Sequence, residues 1–179
     1  MRDACPPSAV KSCLMTDRSI LHECVRESLE AAGIAGEEVL ACEPELADTA
    51  EFCRHYGIAA EEACNAILVA MKTTPRRYVA CLVRADTKLD VNRKVSELTG
   101  VKRLSFASSE ETAELTGMLI GGVTIPGLPA GIPIYIDERV MERPRIIIGG
   151  GNRSSKIRLA PGELLKLPDA AVADVAVPR

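Results

Sequence analysis

Residues 115–136 read LTGMLIGGVTIPGLPAGIPIYI, an uncharged run in a chain of 179 residues of which 26% are charged. Its length would suit a membrane span, for which about 20 consecutive apolar residues suffice. Five of its residues are Gly and three are Pro. Prolines at 126, 129 and 133 would strip hydrogen bonds that a spanning helix cannot replace in lipid. The stretch is read instead as two short buried strands flanking a glycine-rich loop. In that loop Gly121 and Gly122 let the backbone approach something a side chain would push away.

Working outward toward the N-terminus, Ser108-x-x-Glu111 is a capping box for a helix closed by Gly117. Before it come a strand over Lys102–Phe106 and a helix from Asp90 through Val91, Val95 and Leu98 to Gly100. The runs Ala63–Met71 and Tyr78–Val83, joined by a turn at Thr73–Arg76, predict paired antiparallel strands. Asn65 is the odd residue of the first, because an amide on a buried strand must find hydrogen bonds from neighbouring backbone or from a ligand. Asp48-x-x-Glu51 caps a helix with Phe52, Cys53 and Tyr56 that stops at Gly57, and Glu38–Cys42 is a short strand. Leu21, Cys24, Val25, Leu29 and Ala32 recur at helical spacing between Thr16 or Asp17 and Gly33. Toward the C-terminus, one helical turn over Asp137–Met141 precedes a buried strand at Arg145–Ile148. A turn at Gly149, Gly150 and Gly151 leads to a strand at Lys156–Leu159 exposed on one side, and Pro161 opens a short helix to Leu167. Residues 1–15 read as a loose lead-in, 16–167 as one domain and 168–179 as a tail that frays. No internal repeat or interdomain linker is present.

Seven cysteines, at 5, 13, 24, 42, 53, 64 and 81, form no C-x-x-C pair and have only His22 and His55 as companions, so no metal site is written. Free thiols in apolar segments and the lack of a signal-peptide pattern in the first residues point to a reducing cytoplasm. Two histidines and no G-x-S-x-G or P-loop argue against a Ser-His-Asp hydrolase or an NTPase. His55 lies on a helix without a partner in sequence, which suits a surface or packing role.

The formal charge is −3, split between a first part, residues 1–71, with five Lys/Arg against thirteen Asp/Glu, and a second with seventeen against twelve. The basic part either lines a polyanion or is solvated surface; Lys72, Arg76, Arg77 and Lys88 are its candidates for phosphates. The two glycine turns are each weak signals, yet beside buried strands they place backbone N–H donors around one pocket, and such donors stabilise an oxyanion without titrating.

In this combination the sequence resembles the YbaK, or prolyl-tRNA-editing, family of aminoacyl-tRNA deacylases. The signposts, from about Thr49 to Leu167, are Thr49-Ala50-Glu51-Phe52 ahead of Tyr56-Gly57-Ile58, Asn65-Ala66-Ile67-Leu68-Val69, and Lys88-Leu89-Asp90 leading to Leu98-Thr99-Gly100-Val101-Lys102. Stronger ones follow: Leu115-Thr116-Gly117, Gly121-Gly122-Val123-Thr124 with Gly127-Leu128-Pro129, Gly150-Gly151-Asn152-Arg153, and the Pro161-Gly162-Glu163-Leu164-Leu165 helix.

The resemblance implies an α+β fold, a curved, mostly antiparallel or mixed sheet or partial barrel packed with helices. It implies hydrolysis of a wrongly attached small amino acid from the 3′ end of tRNA, of the Ala- or Cys-tRNA(Pro) type, without a cofactor. It makes Asn65, Gly121 and Gly122 the catalytic candidates, and Val123, Thr124, Gly149, Gly150, Gly151, Arg153 and Lys156 the substrate-binding ones. The aminoacyl-tRNA end is the partner, with a synthetase as a further candidate.

Three departures stand out. Many relatives carry a functional lysine where this chain has Asn65, and Lys72 falls on the opposite strand face. The family loop more often reads G-G-V-S-P-F-G, and Gly149 and Lys156 stand where some relatives have Ser and Asp. Asn65 donates a hydrogen bond but brings no charge. The alternative reading is therefore a catalytically silent module that holds an amino acid, a nucleotide or a tRNA end.

Overall fold

The computed structural model describes residues 14–15 and 17–179. Eleven strands and five α-helices alternate with short 3₁₀ turns and one π-helix, Val91–Val95, among the described residues. The strands are β1 (Leu14–Met15), β2 (Glu38–Ala41), β3 (Cys64–Met71), β4 (Arg77–Arg84), β5 (Thr87–Leu89), β6 (Leu104–Phe106), β7 (Ile134–Asp137), β8 (Ile146–Gly149), β9 (Ser155–Leu159), β10 (Ala170–Ala173) and β11 (Ala176–Pro178). The helices are α1 (Glu23–Ala31), α2 (Thr49–Tyr56), α3 (Ser96–Thr99), α4 (Ser109–Thr116) and α5 (Glu138–Met141).

The strands form a mixed five-stranded sheet, ordered β10-β7-β4-β3-β6, a four-stranded antiparallel sheet, β1-β2-β9-β8, and the pair β11-β5. A parallel bridge between Ala63 and Ile147 links the start of β3 to β8. The architecture is α+β, with open sheets packed by helices. β3 and β4 are near-continuous apolar runs because both of their faces are covered, as expected for buried strands. Leu68, Ala80 and Leu82 pack with Val25, Leu29, Ile136, Ile148 and Ile157 on one side. Val69, Val79, Cys81 and Val83 pack with Val91, Val95 and Val175 on the other.

Local signals act where they were expected. Ser108 and Glu111 form the reciprocal capping box of α4, and Gly57, Gly100 and Gly117 take the left-handed conformation that ends their helices. Asp48 caps α2 by accepting from the Ala50 amide. No helix among the described residues is long and apolar enough to cross a membrane.

Three expectations are corrected. The uncharged stretch holds one strand, β7, rather than two. Leu115 and Thr116 finish α4, and residues 117–133 cross the core as irregular chain in which Met118 and Ile125 are buried without strand pairing. Gly117 and the prolines break any ladder there. The tail does not fray. β10 pairs in parallel with β7, and β11 pairs with β5. The fully buried Asp137 carboxylate accepts from the Val175 and Ala176 amides at 3.0 and 2.8 Å. β9 is not exposed on one side, since four of its five residues are buried. The lead-in lies outside the described residues except for Leu14–Met15, which pair with Leu40 and Val39.

Candidate acyl pocket

A cavity of about 260 Å³ opens where the two larger sheets meet. The first residues of β3, Cys64 to Ile67, form one wall, and Asp48 and Thr49 at the start of α2 form another. Ile120, Gly121 and Val123 of the glycine loop, Gly149 and Lys156 complete it. Gly149 and Lys156 face each other across the β8–β9 hairpin. The structure therefore brings together Asn65, Gly121, Val123, Gly149 and Lys156 among the expected site residues.

Gly122, Thr124, Gly150, Gly151 and Arg153 do not line the cavity. A Cβ on Gly122 would overlap the Asn152 carbonyl, and one on Gly149 would lie 2.7 Å from the Val123 oxygen. The Gly151 amide donates to the Gly122 carbonyl at 2.8 Å. The two glycine turns thus interlock backbone to backbone. What Gly122 admits is the neighbouring hairpin rather than a ligand. Gly150 and Gly151 serve α1: the Gly150 carbonyl accepts from His22 N, and a Cβ on Gly151 would meet His22 Cβ at 2.5 Å. Thr124 is fully buried, and its hydroxyl has no hydrogen-bond partner among the described residues. Arg153 straps the loop from outside, donating to the Ile120 and Pro44 carbonyls at 2.9 and 2.6 Å.

The amides of Gly122, Gly150 and Gly151 are spent on Leu119, Ser155 and Gly122 carbonyls. Among the described residues no acceptor is bonded to the amides of Gly121 or Val123, and both residues line the cavity.

The Asn65 side chain takes a side-chain partner rather than a backbone one among the described residues. Its Oδ1 accepts from the Thr49 hydroxyl at 2.6 Å, which joins β3 to the first turn of α2. Lys156 is 5% exposed. Its ammonium donates to the carbonyls of Ala47 at 2.7 Å and Gly121 at 3.0 Å, and lies 5.5 Å from the Phe52 ring centre. Burial lowers its pKa, with nearby acidic groups, Asp48 among them, partly offsetting that. Burial also pushes the Cys64 thiol up to about 12, so this cavity-lining sulfur stays protonated and is no nucleophile at neutral pH.

The phosphate candidates lie elsewhere. Lys72, Arg76 and Arg77 cluster at the far end of the β3–β4 hairpin, about 20 Å from Asn65 by strand rise. Arg76 is paired with Glu111 at 2.6 Å, and Lys88 is exposed on β5. His55 is exposed, with its ring edge against Tyr56. Sequence reasoning missed Asp48, Thr49, Cys64, Ala66, Ile67 and Ile120 as lining residues. Asp48 carried only a capping signal, and nothing in the chain's order tells that α2 starts beside β3.

Residues 43–167 match the model of the aminoacyl-tRNA editing domain. The chain belongs to this family. It is 27% identical over 109 residues to a candidate Cys-tRNA(Pro)/Cys-tRNA(Cys) deacylase of Enterococcus faecalis, covering 61% of this chain and 64% of that one. It is 24% identical over 131 residues to the proline–tRNA ligase of Pelobacter propionicus, covering 71% of this chain and 22% of the ligase. The editing domain thus spans less than two thirds of either relative. Among solved structures, a candidate trans-editing enzyme for prolyl-tRNA synthetase superposes with a TM-score of 0.75 at 28% identity, over 88% of this chain and 99% of that one. A hypothetical protein superposes at 0.77 with 28% identity, over 87% and 100%. These likenesses agree with the YbaK-type motifs and the mixed sheets.

Proposed function

We propose that this editing domain is a trans-acting deacylase that hydrolyses the ester of a small amino acid wrongly attached to tRNA, with alanyl- and cysteinyl-tRNA(Pro) as first candidates. The supporting observation is the cavity itself, where the interlocked glycine turns leave the Gly121 and Val123 amides beside a buried ammonium. In the reaction, water adds to the acyl carbonyl, either directly or after a terminal ribose hydroxyl has taken over the acyl group and the first ribose oxygen has left with that hydroxyl's proton. The bond to the ribose oxygen then breaks, that oxygen takes up the proton, and amino acid and uncharged tRNA are released in the end. The developing oxyanion is held by the Gly121 and Val123 amides, a device worth about 10² to 10³ in rate per donor. Asn65, oriented by Thr49, lines the same cavity from the β3 wall. An aminoacyl ester is already activated, so positioning carries much of the remaining acceleration. The space of about 260 Å³ suits a small acyl group.

Release of amino acid from a panel of mischarged tRNAs, alanyl- and cysteinyl-tRNA(Pro) first, tests the reading. No release above background from any of them would sink it.

A second reading, a silent module that holds an aminoacyl-tRNA end, is favoured by the Thr49 hydroxyl already occupying Asn65 where relatives carry a lysine. Tight binding of charged tRNA without turnover would decide for it. A synthetase partner that raises affinity for tRNA fits either reading.

A further inference from the structure

We propose that Asp48 reads the free α-amino group of the acyl chain, so that this pocket selects unblocked aminoacyl esters and rejects N-acylated ones. The inference rests on the deacylase reading of the pocket.

Two charged side chains line the cavity, Asp48 and Lys156. They differ in depth: Lys156 is buried against carbonyls, whereas Asp48 is exposed. The site is therefore polarised, negative at the solvent side and positive inside. An aminoacyl ester has the matching polarity. Its carbonyl oxygen becomes negative during attack, and its α-amino group, with a pKa of about 8, is largely protonated at neutral pH.

That cation needs oxygen acceptors, and most of those at the cavity are taken. The Ala47 and Gly121 carbonyls accept from Lys156, and Asn65 Oδ1 accepts from Thr49. Asp48 Oδ1 accepts from the Ala50 amide at 3.0 Å. No cation among the described residues forms an ion pair with its carboxylate. A carboxylate fixed by its own helix cap and unpaired with any cation is a ready partner for an ammonium, because hydrogen bonds between ionised groups are about twice as strong as neutral ones. With the amine on Asp48, the ester carbonyl points toward the Gly121 and Val123 amides and the Lys156 ammonium.

The test is isothermal titration of the full chain with 3′-alanylamino-3′-deoxyadenosine, an amide that resists hydrolysis, and with its N-acetyl derivative. The free amine is expected to bind about tenfold more tightly below pH 7, and the preference to fade as pH rises past about 8. Asp48→Asn, which keeps a capping side chain for α2, should bind the two analogues equally. Equal binding by the wild type, or an undiminished preference in Asp48→Asn, overturns the assignment. So does a variant whose preference is intact while only its turnover falls, since Asp48 would then act on the attacking water. If neither analogue binds at millimolar concentration, the acyl-pocket reading falls and this one with it. Equal binding of both removes Asp48 alone.

Discussion

Lys156 Nζ donates to the carbonyl of Gly121 at 3.0 Å, tying a strand of the four-stranded sheet to the glycine loop that borders the cavity. Its second bond, to Ala47 O, holds the chain just before α2. One buried ammonium thus sets three walls of the cavity relative to one another. An ammonium with carbonyl partners only is costly to bury, by several kcal/mol, and such costs gather at functional sites.

Lys156→Met should lower the rate of deacylation by about a hundredfold, the scale of one lost oriented charge, without loss of thermal stability. A parallel fall in melting temperature would mark the lysine as a structural pin instead.

The pH dependence has a definite sign. Burial holds the folded-state pKa of Lys156 below 10.5, so between the two values the unfolded chain binds more protons and stability rises with pH. The cost is present in full below the folded pKa and is relieved as pH climbs to 10.5. Thermal melts of wild type and Lys156→Met across the alkaline range should therefore differ in slope only between the folded pKa and 10.5 and run parallel on either side of that window. Parallel curves throughout would contradict a buried, charged Lys156.

Asn65→Ala should reduce turnover by about a hundredfold or less with little change in melting, and Thr49→Val should reproduce part of that loss by freeing the carboxamide. Equal effects on melting and on rate would assign Asn65 to structure.

Gly122→Ala should destabilise the chain by about 1 to 3 kcal/mol, because the new Cβ meets Asn152 backbone rather than a movable side chain. Urea unfolding gives the number. An unchanged midpoint would show that the two turns separate easily.

Thr124→Val should stabilise by about 1 kcal/mol, since it removes a buried hydroxyl without a partner. The melting temperature is expected to rise by about 2 to 4 °C, and a fall would mean that the hydroxyl is satisfied in solution.

Asp137→Ala leaves the Val175 and Ala176 amides buried without their acceptor, at about 1 to 3 kcal/mol each. Hydrogen exchange should then speed up at residues 170–178 while β3 and β4 stay protected. Uniform loss of protection would show that the C-terminal strands unfold only with the core.

Local grammar was legible in the amino-acid order. Capping residues at Asp48, Asp90 and Ser108, stops at Gly57, Gly100 and Gly117, and the apolar runs of β3 and β4 each act through neighbours a few residues away. The family followed from the order and spacing of such fragments. What could not be read is set by contacts across the chain. The partner of Asn65 is sixteen positions upstream. Asp137 fastens a tail whose own composition, Ala-rich and short, predicts fraying.

By itself the sequence determined the caps and glycine stops of α2 and α4, the apolar runs of β3 and β4, the family and the presence of two glycine turns, because helix caps, periodicity and backbone freedom are properties of short segments. Only the tertiary structure decided which glycines face the cavity and which face each other, that the Lys156 ammonium is buried at the cavity, and that Asp48 stands at its rim. Those facts depend on how two sheets meet, and that meeting brings Lys156 to a carbonyl 109 positions away.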